Sequence, residues 1–191
     1  NVNIFMRGKG DGRSIVITDN GVGVPSSNIE LVFSTGRSSK TGVSKTLGVF
    51  GMGLKTAGMS LGDKITFSSR NHIADNYSTV VFSKNQQVES DDFICAKAEL
   101  SEKDSESFEE KIGKNSTGSC VEISDLVESN VPIAMSNVYK ALKSEIERVY
   151  RYILRDDSEY YLPIVFNLGV KTTVTNNNNF DCLYDKRFED R

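Results

Sequence analysis

Short runs of apolar and β-branched residues open the chain. NVNIFMRG and RSIVITD read as strands, and the KGDG between them signals a hairpin. DNGVGVP predicts a tight loop, and SSNIELVF a short helix with a serine cap. STGRSSKTGVSKT has almost no apolar residue and predicts a long polar loop, whereas GLKTAGMSL reads as a helix. DKITFSSR, YSTVVFSK and DFICAKAEL predict successive strands of a meander, and GSCVEISDL a further strand. Residues 101–117 are charged and polar without an apolar period, which predicts an exposed loop. SNVYKALKSEIERVYRYIL is the clearest helix, with Val138, Leu142, Ile146, Val149 and Ile153 falling on one face. YLPIVFN and VKTTVT close the pattern as strands. The Asn-rich tail from Asn176 is expected to be loose.

These elements predict an α+β fold: a two-layer sandwich with helices packed on one face of a mixed, mostly antiparallel sheet. The strand–helix alternation of a doubly wound dinucleotide fold is missing. One domain over 1–175 is expected, with 176–191 as a tail or the start of a following domain. The 191 residues, 38% of them hydrophobic, suffice for one globular core. No run of 18 apolar residues is present, so no membrane span is expected.

Charge changes the picture. From Leu31 to Gly62 there is no Asp or Glu, while Arg37, Lys40, Lys45 and Lys55 give the window +4. The whole chain has a formal net charge of −3, which leaves −7 for the rest. A solvated basic loop is one reading of the window; an anion site is the sharper one. The acidic balance gives nucleic-acid binding no support from this domain. Cys95, Cys120 and Cys182 have no CxxC spacing and read as reduced thiols of a cytoplasmic or nuclear protein. His72 is the one histidine, too little for a His-based metal site or a Ser–His–Asp triad, and reads as a surface or half-buried residue.

Two glycine motifs carry the candidate chemistry. In DNGVGVP, Asp19 ends a buried strand, and Gly21 and Gly23 would let the backbone approach a flat ligand edge. A carboxylate there accepts a hydrogen bond from an exocyclic amine such as that of adenine; an ordinary Asn-Gly turn is the plainer alternative. In LGVFGMGLKTAGMSLG, Gly48, Gly51 and Gly53 lead into the helix near Leu54. The first turn of a helix offers unpaired N–H groups and the positive end of the dipole, which suit phosphates. Close helix–sheet packing would also explain the glycines. The G-K-[ST] ending of a P-loop is absent.

Taken together, DNGVGVP, a Ser/Thr/Lys loop and GVFGMGLKTA resemble the GHKL ATPase superfamily of gyrase, the large heat-shock chaperone, sensor histidine kinases and MutL. LGVFGMGLKTAGMSLG is most similar to the MORC branch and related bacterial proteins. TGSCVEISDL resembles the family's late Gly-Thr strand, with Ser119 where threonine is usual. The likeness covers about 1–170 in order, and is motif-specific at 19–24, 48–57 and 118–119. It implies a Bergerat-type fold that binds ATP with Mg2+. Asp19 would accept from the adenine amino group, Ser119 would support the same edge through water, and Gly21 and Gly23 would line the pocket. Gly48, Gly51 and Gly53, with the N–H groups of Met52 to Leu54, would hold the phosphates. Lys40 would sit on an ATP lid over 34–47. Lys55 would reach phosphate or pair on the surface.

The family carries its general-base Glu and magnesium-holding Asn on a helix before the NVNIFM strand. Neither role is assigned to any residue here, so no catalytic or metal-binding residue is expected within this sequence. That first helix is expected upstream of Asn1. The resemblance implies an ATP-binding module whose lid closes on ATP and drives homodimerisation or movement of C-terminal domains of the same protein. A nucleotide-independent interaction domain with a degenerate ATPase fold is the alternative.

Overall fold

Val2–Arg7 (β1) and Ser14–Asp19 (β2) form the expected hairpin, with Val2 opposite Asp19 and Arg7 opposite Ser14. The structure is a computed structural model and describes residues 1–8, 10–33, 53–90, 96–98, 102–151, 154, 162–168 and 171–174. A 3₁₀ stretch, Ser26–Phe33, follows the DNGVGVP loop. After it come the helix Gly53–Leu61 (α1) and the strand Gly62–Arg70 (β3), with no connecting residue between them. Strand Ser78–Ser83 (β4), helix Lys84–Ser90 (α2) and the short strand Ala96–Ala98 (β5) continue the meander. Helix Glu102–Ile112 (α3) and strand Gly118–Leu126 (β6) lead to helix Met135–Val149 (α4). Ile164–Leu168 (β7) and Lys171–Val174 (β8) complete the sheet.

The eight strands lie in the order β5-β4-β3-β6-β2-β1-β7-β8. Every pairing is antiparallel except β1 with β7, which is parallel and needs the α4 crossover to form. This is the α+β class and the mixed, mostly antiparallel sheet that the sequence predicts.

Alternation decides which face each residue serves. Ile4, Met6, Ile15, Ile164 and Phe166 point to one face and pack with Met135 and Val138 of α4. Further along the same face, Ile65, Phe67, Val80 and Phe82 pack with Ile29 and Phe33 of the 3₁₀ stretch and with Leu54 and Met59 of α1. Tyr139 meets Phe166 edge-on, with ring centroids 5.5 Å apart. Arg13, almost fully buried, ties the loop entering α4: it donates to Gly10 O at 3.0 Å and Pro132 O at 2.9 Å and pairs with Glu128.

The second face is also covered, which corrects the reading of 101–117 as an exposed loop. Residues 102–112 are helical, and Phe108 is buried against Val16 and Cys120, with Phe5, Tyr77 and Ile112 around it. Phe108 and Ile112 stand one turn apart, so a single short stripe anchors the helix, and too few apolar positions mark it for a period to show. Three smaller differences follow from packing. Lys84 starts α2 rather than ending a strand, and SSNIELVF forms a 3₁₀ stretch. α4 stops at Val149, which is exposed and does not share the burial of Met135 and Val138. Ile153, Cys95, Cys182 and the tail from Asn176 lie outside the described residues. Among the described residues no helix is long and apolar enough to cross a membrane.

Candidate functional site

Asp19, Ser119 and Ser69 form a row across three neighbouring strands. Asp19 at the end of β2 pairs in register with Ser119 of β6, and Ser119 with Ser69 of β3. Strand alternation puts all three on the face that carries α1, because Ile17, Val121 and Phe67 two positions away belong to the cores of that face.

The DNGVGVP loop folds over this row and is pinned at four points. Gly21 N donates to Asp19 Oδ1 at 2.8 Å, and Thr117 Oγ1 donates to Gly21 O at 2.8 Å. Asn71 Nδ2 donates to Val22 O at 2.8 Å, and Val24 N donates to Ser69 Oγ at 2.7 Å. The second carboxylate oxygen of Asp19 has no hydrogen bond among the described residues. Asp19 and Ser119 are both half-buried.

Glycine is required at two places beside this row. Gly23 has φ +67°, and a Cβ there would collide with the carbonyl of Arg70. Gly118 has φ +152°, and a Cβ there would collide with the carbonyl of Asp19. The loop and the end of β6 thus lie as close to the strand ends as backbone can come. Behind them Arg70, 6% exposed, donates from Nε at 3.1 Å and from Nη2 at 2.7 Å to Ser116 O, and pairs through Nη1 with Glu109 of α3 at 3.2 Å. The segment 116–119 is therefore held from both faces of the sheet.

The glycine-rich stretch divides into two kinds of position. Gly58 and Gly62 have packing roles: a Cβ at Gly58 would collide with Ile65 Cδ1, and one at Gly62 with Ser124 O. Gly53 has open space around its missing side chain and begins α1 in the described residues. Because α1 reverses directly into β3, the two run in opposing directions. The N-terminal turn of the helix, with Leu54 and Lys55, therefore points toward the Ser69 end of that strand. Leu54 packs against the core below, and Lys55 already takes part in an interaction within the fold. Gly48, Gly51, Met52, Lys40 and the stretch 34–47 lie outside the described residues.

Sequence reasoning singled out Asp19, Gly21, Gly23 and Ser119, and the structure brings these four together. It missed Ser69, Thr117 and Asn71, whose roles follow from strand register and loop geometry rather than from any local motif. His72 is exposed in the turn after β3, where its Nδ1 accepts from Ala74 N at 3.3 Å. Among the described residues no group of three or more His, Cys, Asp or Glu side chains could hold a metal ion. The arrangement can present acceptor oxygens to the edge of a planar, amine-bearing ligand.

Residues 1–118 match the sequence family described as histidine kinase-, DNA gyrase B-, and HSP90-like ATPase. A solved structure of the topoisomerase IV ATP-binding domain of Francisella tularensis, in complex with a small-molecule inhibitor, is similar with a TM-score of 0.50 and 19% sequence identity. The similarity covers 92% of this chain and 42% of that one, so the chain spans less than half the length of this relative. At that identity the likeness is one of fold. No curated protein matches the chain.

Proposed function

Because this chain belongs to the histidine kinase-, DNA gyrase B- and HSP90-like ATPases, we propose that it binds ATP, with the adenine edge on the Asp19–Ser119 row. The observation that carries this reading is the pairing of a half-exposed, partly unsatisfied carboxylate with a hydroxyl on the next strand, under a loop whose glycines leave no room for side chains. Asp19 accepts from the exocyclic amine. Gly21 and Gly23 wall the base, and Ser119 supports the same edge directly or through one water. The triphosphate extends toward the first turn of α1, where the N–H groups of Gly53, Leu54 and Lys55 and the helix dipole favour anions.

On the sequence alone, the proposal includes Gly48, Gly51 and Met52 among the phosphate contacts and 34–47, with Lys40, as the segment that closes over ATP. The wider reading is that closure promotes homodimerisation or moves C-terminal domains of the same protein. The MORC-like character of the glycine stretch makes that branch the one proposed. Magnesium would accompany the triphosphate. ATP hydrolysis is proposed for the intact protein; no residue of this chain is assigned as general base or as metal ligand, and the activity proposed for the chain itself is nucleotide binding.

Isothermal titration of the chain with ATP and magnesium tests the reading. Saturable binding that Asp19→Asn weakens by about 10- to 150-fold, with the fold retained by circular dichroism, is the expected result. A folded chain that takes up no ATP would overturn it and favour an interaction domain that keeps only the ATPase fold.

A further inference from the structure

Ser69 is 1% exposed, and its hydroxyl oxygen has three polar neighbours. Val24 N lies at 2.7 Å and can only donate. Gly118 O lies at 2.9 Å and can only accept. Ser119 Oγ lies at 3.2 Å and can do either. A serine hydroxyl has one proton and two lone pairs. The carbonyl takes the proton and the amide takes one lone pair. The remaining lone pair faces Ser119, so Ser119 must be the donor in the bond between the two hydroxyls.

That proton order reaches the surface of the site. With its single proton turned inward to Ser69, Ser119 shows only lone pairs to whatever lies on the Asp19 side. Asp19, ionised, is also acceptor-only. The two residues are register partners on adjacent strands and on the same face. The wall they make matches a group carrying two N–H donors and no acceptor, such as a primary aromatic amine. It repels a carbonyl oxygen in the same position.

We propose that Ser69 is a specificity-determining positioning residue: by holding the Ser119 proton inward it makes the base-edge wall acceptor-only and selects a 6-amino purine over a 6-oxo purine. This rests on the adenine reading of the site given above in its direct form, with Ser119 facing the base without an intervening water. Ser69 does not touch the ligand; it acts through Ser119. In Ser69→Ala the partner of the Ser119 proton is gone, and the hydroxyl is free to turn and donate outward. A 6-oxo purine nucleotide then gains a hydrogen bond in place of a repulsion.

Two measurements decide it. The first is titration of the chain with ATP and with ITP, its 6-oxo counterpart. The parent should prefer ATP. Ser69→Ala should lower the ATP-to-ITP affinity ratio by about tenfold, the weight of one hydrogen bond, mainly by raising the affinity for ITP. Ser69→Thr, which keeps the hydroxyl, should restore the parent ratio. Equal weakening of both nucleotides in Ser69→Ala would make Ser69 a merely structural anchor for Val24 and Gly118, and would overturn the proposal. The second is neutron diffraction of the ligand-free protein, which needs neither nucleotide nor variant. The Ser119 hydroxyl hydrogen should point at Ser69 Oγ; a hydrogen directed toward Asp19 would overturn the proton order. A parent that binds neither nucleotide while the hydrogen points inward would sink the adenine reading, and the specificity claim with it, but would leave the proton order established.

Discussion

The guanidinium of Arg70 lies over the ring of Tyr77, its Cζ 4.2 Å from the ring centroid. Tyr77 in turn contacts the ring of Phe108 at a centroid distance of 3.9 Å. Through this stack the end of β3, the start of β4 and the middle of α3 form one unit. Arg70 also holds Ser116 O, so the unit supports the strand that carries Ser119.

Replacing Arg70 should therefore be felt on both faces of the sheet. Arg70→Met leaves the Ser116 carbonyl without its two donors and Glu109 without its cation. Hydrogen bonds to charged groups contribute about 1.5–3 kcal/mol, and Glu109 is partly solvated, so a loss of about 2–3 kcal/mol is expected. Urea denaturation measures it. Glu109→Gln keeps a hydrogen-bond acceptor for Arg70 and should cost less than half as much.

Asp19→Asn separates the loop from the ligand. The amide oxygen can still accept from Gly21 N, so the turn should persist. The other side-chain atom becomes a donor facing the donor amine. Loss of a charged acceptor corresponds to about 1.5–3 kcal/mol, or a 10- to 150-fold drop in ATP affinity. An unchanged melting temperature with weakened ATP binding is the expected pair of results. Undiminished ATP affinity would remove Asp19 from the site.

Phe108→Ala tests whether α3 belongs to the core. A buried Phe→Ala change costs roughly 3–5 kcal/mol. Amide exchange in 102–112 should speed up more than in β3 or β6, because among the described residues Phe108 and Ile112 are the apolar side chains that join the helix to the core. Uniform acceleration along the chain would show that α3 melts only with the whole domain.

Two groups make the fold sensitive to alkali. Burial pushes the Cys120 thiol from 9.0 to about 11. Burial likewise raises Tyr77 from 10.0 to about 12, with Arg70 opposing and Glu109 assisting. Each proton is held more tightly in the folded chain than in the unfolded one. The stabilisation is thus full below about pH 9 and is lost as pH rises through 9 to 12. The melting temperature should fall over that range, and Cys120→Val should reduce the part of the fall that lies between pH 9 and 11. The same protonation keeps Cys120 slow toward disulfide reagents at pH 8 until the protein unfolds.

What the sequence revealed and what it concealed divide along one physical line. Asp19, Gly21 and Gly23 could be singled out because their motif is local, a strand end and then glycines that a tight loop demands, whereas Ser119 came only from the resemblance of TGSCVEISDL to the family's late strand. Ser69 was not, because its neighbours Val24, Gly118 and Ser119 are set by the pairing of β3 with β6, and register cannot be read from either strand alone. Arg70 resembled any surface arginine at a strand end until α3 lay over it. That helix was hidden because two apolar residues one turn apart do not make a period. The glycine stretch was legible as special but not as divided, since only the positions of Ile65 and Ser124 show that Gly58 and Gly62 are spacers.

During synthesis β1 and β2 can pair as soon as both have emerged, whereas β7, which completes the other side of β1, is made only after α4. Closing so long a loop costs entropy that local contacts do not offset, and pairings of this kind form late in folding. Until they do, one edge of β1 presents an unfilled row of amide and carbonyl groups, with Phe5 and Met6 alongside, to any extended segment nearby. The weak moment of this fold thus comes before its sheet is complete. It is located at a strand that ends up in the interior, so mutations that slow the docking of β7 should lower soluble yield even where they leave the finished domain as stable as before.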